Sequence, residues 1–209
     1  MNVTLIANTP EPQRLIETCA RISYESQNYP FDPEVNSKFI RKLIKNGHES
    51  PLEHASATLL IDGVSRTCSH QIVRHRLASF TQRSSRYTSV TDKDPGDRYV
   101  FPLSYGVHTA GQHDIFDEAI NHAEKAYLDL IASGVSKEDA RFILPQAEST
   151  SLYMTANMRE WRHFLQLRLD RHAQWEIRGV AEKVLGILSG IAPDVFFDLT
   201  TTTTTGENP

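Results

Sequence analysis

Residues 35–63 read VNSKFIRKLIKNGHESPLEHASATLLIDG, and the spacing of apolar side chains changes within them. Val35, Phe39, Ile40, Leu43 and Ile44 recur at helical spacing, and Gly47 follows where a helix would be closed. From residue 54 the period becomes two: Ala55, Ala57, Leu59 and Ile61 alternate with Ser56, Thr58 and Asp62, interrupted only by Leu60. This predicts a strand over 54–62, with Asp62 and Gly63 supplying the turn after it.

Working outward, Val3 to Ala7 reads as a short strand. Leu15, Ile16, Cys19 and Ala20 then mark a helix after the breaks at Pro10 and Pro12. Ser65 is placed to cap a helix carrying Cys68, Ile72 and Val73, and the polar stretch Ser79 to Ser89, lacking a sustained period, reads as an ordered loop. Phe116, Ile120, Ala123, Tyr127, Leu130 and Ile131 form a long helical stripe that stops before Gly134. Ser136 with Asp139 opens a short helix ending near Pro145. Asn157 with Glu160 opens another, reaching His172 and turning Trp161, Phe164 and Leu165 inward. A last helix spans about 173–189, and the consecutive threonines 200–205 begin a tail, 200–209, with nothing apolar to pack. Residues 1–199 are expected to form a single domain.

The chain has 209 residues, 39% hydrophobic and 23% charged, with a net charge of −4. A core of useful size is available, and the charge argues against a generally basic nucleic-acid-binding protein. Cys19 and Cys68 are too few for a disulfide framework or a four-thiolate zinc site. No apolar run approaches the ~20 residues of a membrane span, and no basic-then-apolar leader opens the chain. The expected setting is the reducing cytoplasm, with no metal, membrane or nucleic-acid partner.

Charge is nevertheless uneven. No acidic residue stands between Asp62 and Asp92, whereas Arg66, Arg74, Arg76, Arg83 and Arg86 do, giving a local charge of +5. Forked, planar guanidiniums suit phosphates and carboxylates, so the segment is either an anion site or a solvated basic face. Arg168 shares a helical face with Asn157, Trp161 and Phe164, where a core residue belongs; burial there demands a carboxylate partner or an anionic ligand. Arg141 likewise precedes the apolar run Phe142 to Leu144. Metal and nucleotide motifs fit poorly. HExxH fails because Leu52 stands where its second histidine is needed and Pro51 breaks the helix, and no glycine-rich phosphate loop or GxSxG elbow is present. A lone Cys68 in a basic setting is either an activated thiol or plain packing.

Arg74, His75 and Arg76, then seven residues, then Ser84, resemble the RHRx7S signature of the flavin-dependent thymidylate synthases. The segments from His48 to His54, from Ala140 to Pro145 and from Asn157 to Ile177 (NxRxxxHFLxLRxxxxAQWEI) are similar to the same family. The resemblance implies an α+β fold of helices packed around an antiparallel sheet, assembled as a homotetramer with active sites shared between subunits. It implies methylation of dUMP to dTMP, with methylenetetrahydrofolate as carbon donor, FAD as hydride carrier and NADPH as reductant. Ser50, Arg74, His75, Arg76, Asn157, Arg159 and His163 are then expected to contact the flavin, and Gln71, Gln82, Ser84, Ser85, Arg86, Arg141 and Arg168 the nucleotide. Arg168 would be catalytic, favouring ionisation of the uracil imide, while Ser84 would position rather than attack. The alternative within the same fold is a flavin-dependent dUMP hydroxymethylase, and outside it a nucleic-acid-binding surface.

Overall fold

The computed structural model describes residues 1–26, 28–101 and 109–199; the Thr-rich tail lies outside the described residues. Strands β1 (Asn2–Asn8), β2 (Ser56–Ser65), β3 (Ser79–Gln82) and β4 (Ser149–Asn157) pair in the order β1-β2-β4-β3. The central pair is antiparallel: Thr58 meets Thr155 through their hydroxyls at 2.9 Å, and Asp62, further along β2, accepts from Ser151, earlier in β4. Helices α1 (Pro12–Arg21), α2 (Pro33–Lys45), α3 (Arg66–Ile72), α4 (Ala110–Ala132), α5 (Lys137–Ala140), α6 (Met158–Arg168) and α7 (Trp175–Ile191) complete the α+β fold that the family resemblance implies.

Several expectations need correction. The first central strand does not stop at Asp62 but continues to Ser65, because Gly63 takes a left-handed φ of 68° and β4 goes on offering a partner. Val73 falls outside α3. The segment from Ser79 is not all loop: β3 forms there, and just beyond it Arg83 N–H donates to the Ser151 carbonyl at 2.9 Å. Four residues are too few to display a period, so tertiary pairing alone makes this strand. Strand β4 was not anticipated, although Leu152, Met154 and Ala156 are buried at alternate positions. Finally, α6 ends at Arg168 rather than at His172, where the Asp170 carboxylate accepts the His172 N–H at 2.8 Å and turns the chain.

Contacts divide the chain into two compact units, residues 1–61, 72–80 and 153 onward in the first, 62–71 and 81–152 in the second. In the first, α1 packs on α2, α7 packs on β1, and α6 packs on α7 and on the 3-10 turn Ser50–His54. Its core includes Ile16, Ile40, Leu52, Leu59, Trp161, Phe164, Ile177, Val184 and Phe196. Helix α6 is locked in detail: Asn157 caps it by accepting the Glu160 N–H at 2.9 Å, and the Trp161 indole donates to the Ala57 carbonyl at 3.1 Å. The second unit has its own core of Val90, Tyr99, Ile120, Tyr127 and Ala140, with Phe101, Phe116 and Leu130 against it. In the same unit Ser65 caps α3, its hydroxyl accepting the Cys68 N–H at 3.0 Å.

Candidate active site

Within the first unit, a cleft of about 730 Å³ is lined by Glu49, Glu53, Arg74, His75, Arg76, Leu77, Asn157, Arg159, Glu160, His163 and Gln166. All the side chains expected at the flavin are among them except Ser50, which opens the neighbouring 3-10 turn and is exposed. Residues 74–77 reach the cleft from the turn after α3, Asn157 from the end of β4, Arg159, Glu160, His163 and Gln166 from α6, and Glu49 and Glu53 from the 3-10 turn region. Three segments distant in sequence thus line it.

The acid-free stretch now resolves residue by residue. Arg66 pairs with Glu148 at 3.3 Å, Arg86 with Glu138 at 3.0 Å, and Arg83 donates to the Thr88 hydroxyl and the Ser89 carbonyl. Arg74 and Arg76 are exposed in the cleft, and neither has a hydrogen-bond or ion-pair partner among the described residues. Arg159, by contrast, is already matched, by Glu53 at 2.6 Å and Glu49 at 3.7 Å. The uncompensated cationic donors of the cleft are therefore Arg74 and Arg76, which is what a bound anion requires.

His75 sits between them and is only 4% exposed. Its Nδ1 lies 3.2 Å from Glu160 Oε1, and its Nε2 accepts the Arg168 Nε–H at 3.1 Å. Burial, with Arg168 and His163 nearby, lowers its pKa to about 4, so the imidazole is neutral at pH 7. Burial also raises the pKa of Glu160. The donor atoms of His75, Glu160 and His163 lie within 4.8 Å of one another, a spacing a metal ion can bridge. The Arg168 guanidinium on the same imidazole opposes a cation there.

Arg168 was expected to occupy a core position. It is half-buried at the last residue of α6 and rests on a histidine; the buried guanidinium of this helix is Arg162, 2% exposed. Arg162 binds Asp198 through two bonds of 2.7 and 2.8 Å, donates to the Val195 carbonyl, and has Glu49 Oε1 3.5 Å from its Nε without hydrogen-bond geometry. Its role was not legible from sequence, because its partners come from the C-terminal segment and the 3-10 turn region. Glu49, Glu53, Glu160 and Gln166 were missed as cleft residues. The i, i+3 spacing of Glu160 and His163 was the one local signal that both face one side of a helix.

The remaining residues expected at the nucleotide belong to the second unit. Gln82 donates to the Ser69 hydroxyl at 2.9 Å and to Thr150 at 3.3 Å, Arg141 donates to the Ser85 hydroxyl at 3.3 Å, and Ser84 Oγ accepts the Arg86 N–H at 3.4 Å. Gln71 is half-buried in the last turn of α3. Arg141 is half-buried rather than enclosed by apolar side chains, since Phe142 beside it is 83% exposed. Among the described residues no histidine or carboxylate is hydrogen-bonded to Ser84, whose hydroxyl accepts from the Arg86 N–H.

Residues 4–194 match the family model described as "Thymidylate synthase complementing protein". The flavin-dependent thymidylate synthase of Geobacter sulfurreducens is 41% identical over 203 residues, covering 95% of this chain and 86% of that one. Its counterpart in Pyrococcus furiosus is 41% identical over 191 residues, 88% of this chain and 78% of that protein. The Sulfurisphaera tokodaii protein of the same name is 35% identical over 202 residues, 94% and 76% of the two chains.

Proposed function

The chain belongs to the flavin-dependent thymidylate synthase family, and from that premise we propose that the Arg74–Arg76 cleft is where it holds FAD. The activity is the family's: dUMP is converted to dTMP with methylenetetrahydrofolate as carbon donor and NADPH as reductant. FAD, when bound, supplies the hydride transfer. One observation carries the siting: Arg74 and Arg76 face a cleft of about 730 Å³ with no partner among the described residues, beside a neutral imidazole. Sites for small molecules and cofactors span about 300–1,000 Å³, and a diphosphate matches two forked cations.

The chain's own groups then divide the work. Arg74 and Arg76 bind negative charge, and Asn157, Arg159 and His163 orient the cofactor against α6; Ser50 follows the cleft residue Glu49 in sequence and opens the 3-10 turn. Gln71, Gln82, Ser84, Ser85, Arg86 and Arg141 hold the nucleotide. Arg168 places a fixed positive charge where the uracil imide develops a negative one, which lowers the barrier to ring activation. Residues 1–199 work as one catalytic domain in the cytoplasm, and the protein assembles as a homotetramer whose sites draw on more than one subunit. Among the described residues, no helix is long and apolar enough to cross a membrane.

The test is direct. The purified protein is expected to bind FAD and to release dTMP, identified by mass, when given dUMP, methylenetetrahydrofolate and NADPH. Arg74→Ala with Arg76→Ala is expected to lose FAD while melting normally. Arg168→Lys, which keeps charge but loses the fork, is expected to keep FAD and slow single-turnover dTMP formation by on the order of a hundredfold, about 3 kcal/mol. Full FAD affinity in the double variant removes the cleft from the reading. Normal turnover in folded Arg168→Lys removes Arg168, and a hydroxymethylated product alone replaces dTMP as the outcome.

A further inference from the structure

Glu160 lines the cleft and is a carboxylate buried to 4% exposure on the helix that carries the site. A buried carboxylate is costly unless something is gained by its hydrogen bonds. Its side chain faces His75 Nδ1 at 3.2 Å, and the other nitrogen of that ring meets Arg168 Nε at 3.1 Å. Arginine has donors only. His75 Nε2 must therefore carry the lone pair, its proton must sit on Nδ1, and Glu160 must be the acceptor of that proton.

We propose that Glu160 is a positioning residue that acts on Arg168 through His75. By accepting the Nδ1 proton it fixes the imidazole in the tautomer whose bare Nε2 receives the Arg168 N–H, and so sets the direction in which the guanidinium points. Without that acceptor the ring is free to carry its proton on Nε2, where it would face the Arg168 donor with another donor. The guanidinium would then have to turn away. The backbone gives little room to compensate, since α6 is held on either side of Glu160 by Met158 N–H to the Ala55 carbonyl at 2.8 Å and by Trp161 to the Ala57 carbonyl. The functional consequence rests on the reading of Arg168 as a nucleotide-activating group; the tautomer itself does not.

Two conservative variants separate contact from charge. Glu160→Gln keeps the acceptor oxygen in place and removes the charge. Glu160→Asp keeps the charge but withdraws the carboxylate by about 1.5 Å, out of reach of Nδ1. The first readout is the ¹⁵N spectrum of the His75 ring in the ligand-free protein at pH 7, assigned by its loss in His75→Phe. Wild type and Glu160→Gln are expected to carry the proton on Nδ1, and Glu160→Asp to shift it toward Nε2. The second readout is single-turnover dTMP formation with FAD content and dUMP affinity measured alongside. Glu160→Asp is expected to slow by on the order of tenfold with FAD content unchanged, and Glu160→Gln to slow less than Glu160→Asp.

A wild-type His75 protonated on Nε2, or a tautomer indifferent to both variants, overturns the proposal. So does the reverse activity order, which would make charge the relevant property. If both variants melt early and lose FAD in step with turnover, Glu160 is structural and the proposal fails. If the tautomers follow the expected order while Arg168→Lys turns over normally, it is the reading of Arg168 that has failed instead.

Discussion

Arg162 lies at the centre of the scaffold that aims α6, and replacing it with Met keeps much of its volume while deleting its donors. The guanidinium makes a two-bond pair with Asp198 at 2.7 and 2.8 Å, donates to the Val195 carbonyl and attracts Glu49 at 3.5 Å. Breaking a buried pair by removing one partner costs about 3–5 kcal/mol. Asp198 is 36% exposed and Glu49 27%, so both carboxylates recover part of their hydration, and the lower end, about 3 kcal/mol, applies. For a chain of this length each kcal/mol is worth about 2–4 °C, so the melting temperature should fall by about 6–12 °C. Circular dichroism at pH 7 on ligand-free protein measures it. The double change Arg162→Met with Asp198→Leu also removes the orphaned carboxylate, and should recover at least half of the loss. A single variant that melts within about 3 °C of wild type would contradict this role of Arg162, as would a double variant no better than the single.

His75 makes stability depend on pH. The unfolded imidazole titrates near 6.5 and the folded one near 4, so the unfolded state binds more protons between those values and stability falls as pH falls through that window. The loss should reach about 3 kcal/mol near pH 4 and be largely absent in His75→Phe; equal pH slopes in the two melting series would contradict this. Asn157→Ala removes the α6 cap at a cost of about 1 kcal/mol, and Asn157→Ser should restore melting without restoring FAD affinity if the amide also touches the cofactor. Because Cys68 is wholly buried, the double change Cys19→Ala and Cys68→Ala should leave turnover intact; a folded, FAD-loaded double variant that is inactive would contradict a mechanism without a thiolate nucleophile.

Local chemistry alone fixed much of this protein. The stripes of α1, α2, α4 and α7, the caps Ser65, Ser136 and Asn157, and the alternation that begins β2 are properties of short segments, readable wherever one face must be buried. The excess of arginine between Asp62 and Asp92 was equally plain, as was the family motif around it. Composition could not say which arginines were spare. Arg66 and Arg86 find carboxylates far along the chain, Glu148 and Glu138, and only folding brings those acids near, leaving Arg74 and Arg76 to face the cleft without compensation. The strand β3 exists because β4 offers it an edge, and β2 outlasts its turn signal for the same reason. The periodicity of α6 pointed to Arg168 as the inward arginine, but helical geometry specifies only a face, not what lies against it. Asp198 and Val195 come from beyond α7, and they decide that Arg162 is the buried cation. The choice of His75, a ring some ninety residues earlier, as the support for Arg168 is likewise made by the tertiary fold, because a hydrogen bond between such distant residues has no trace in local sequence.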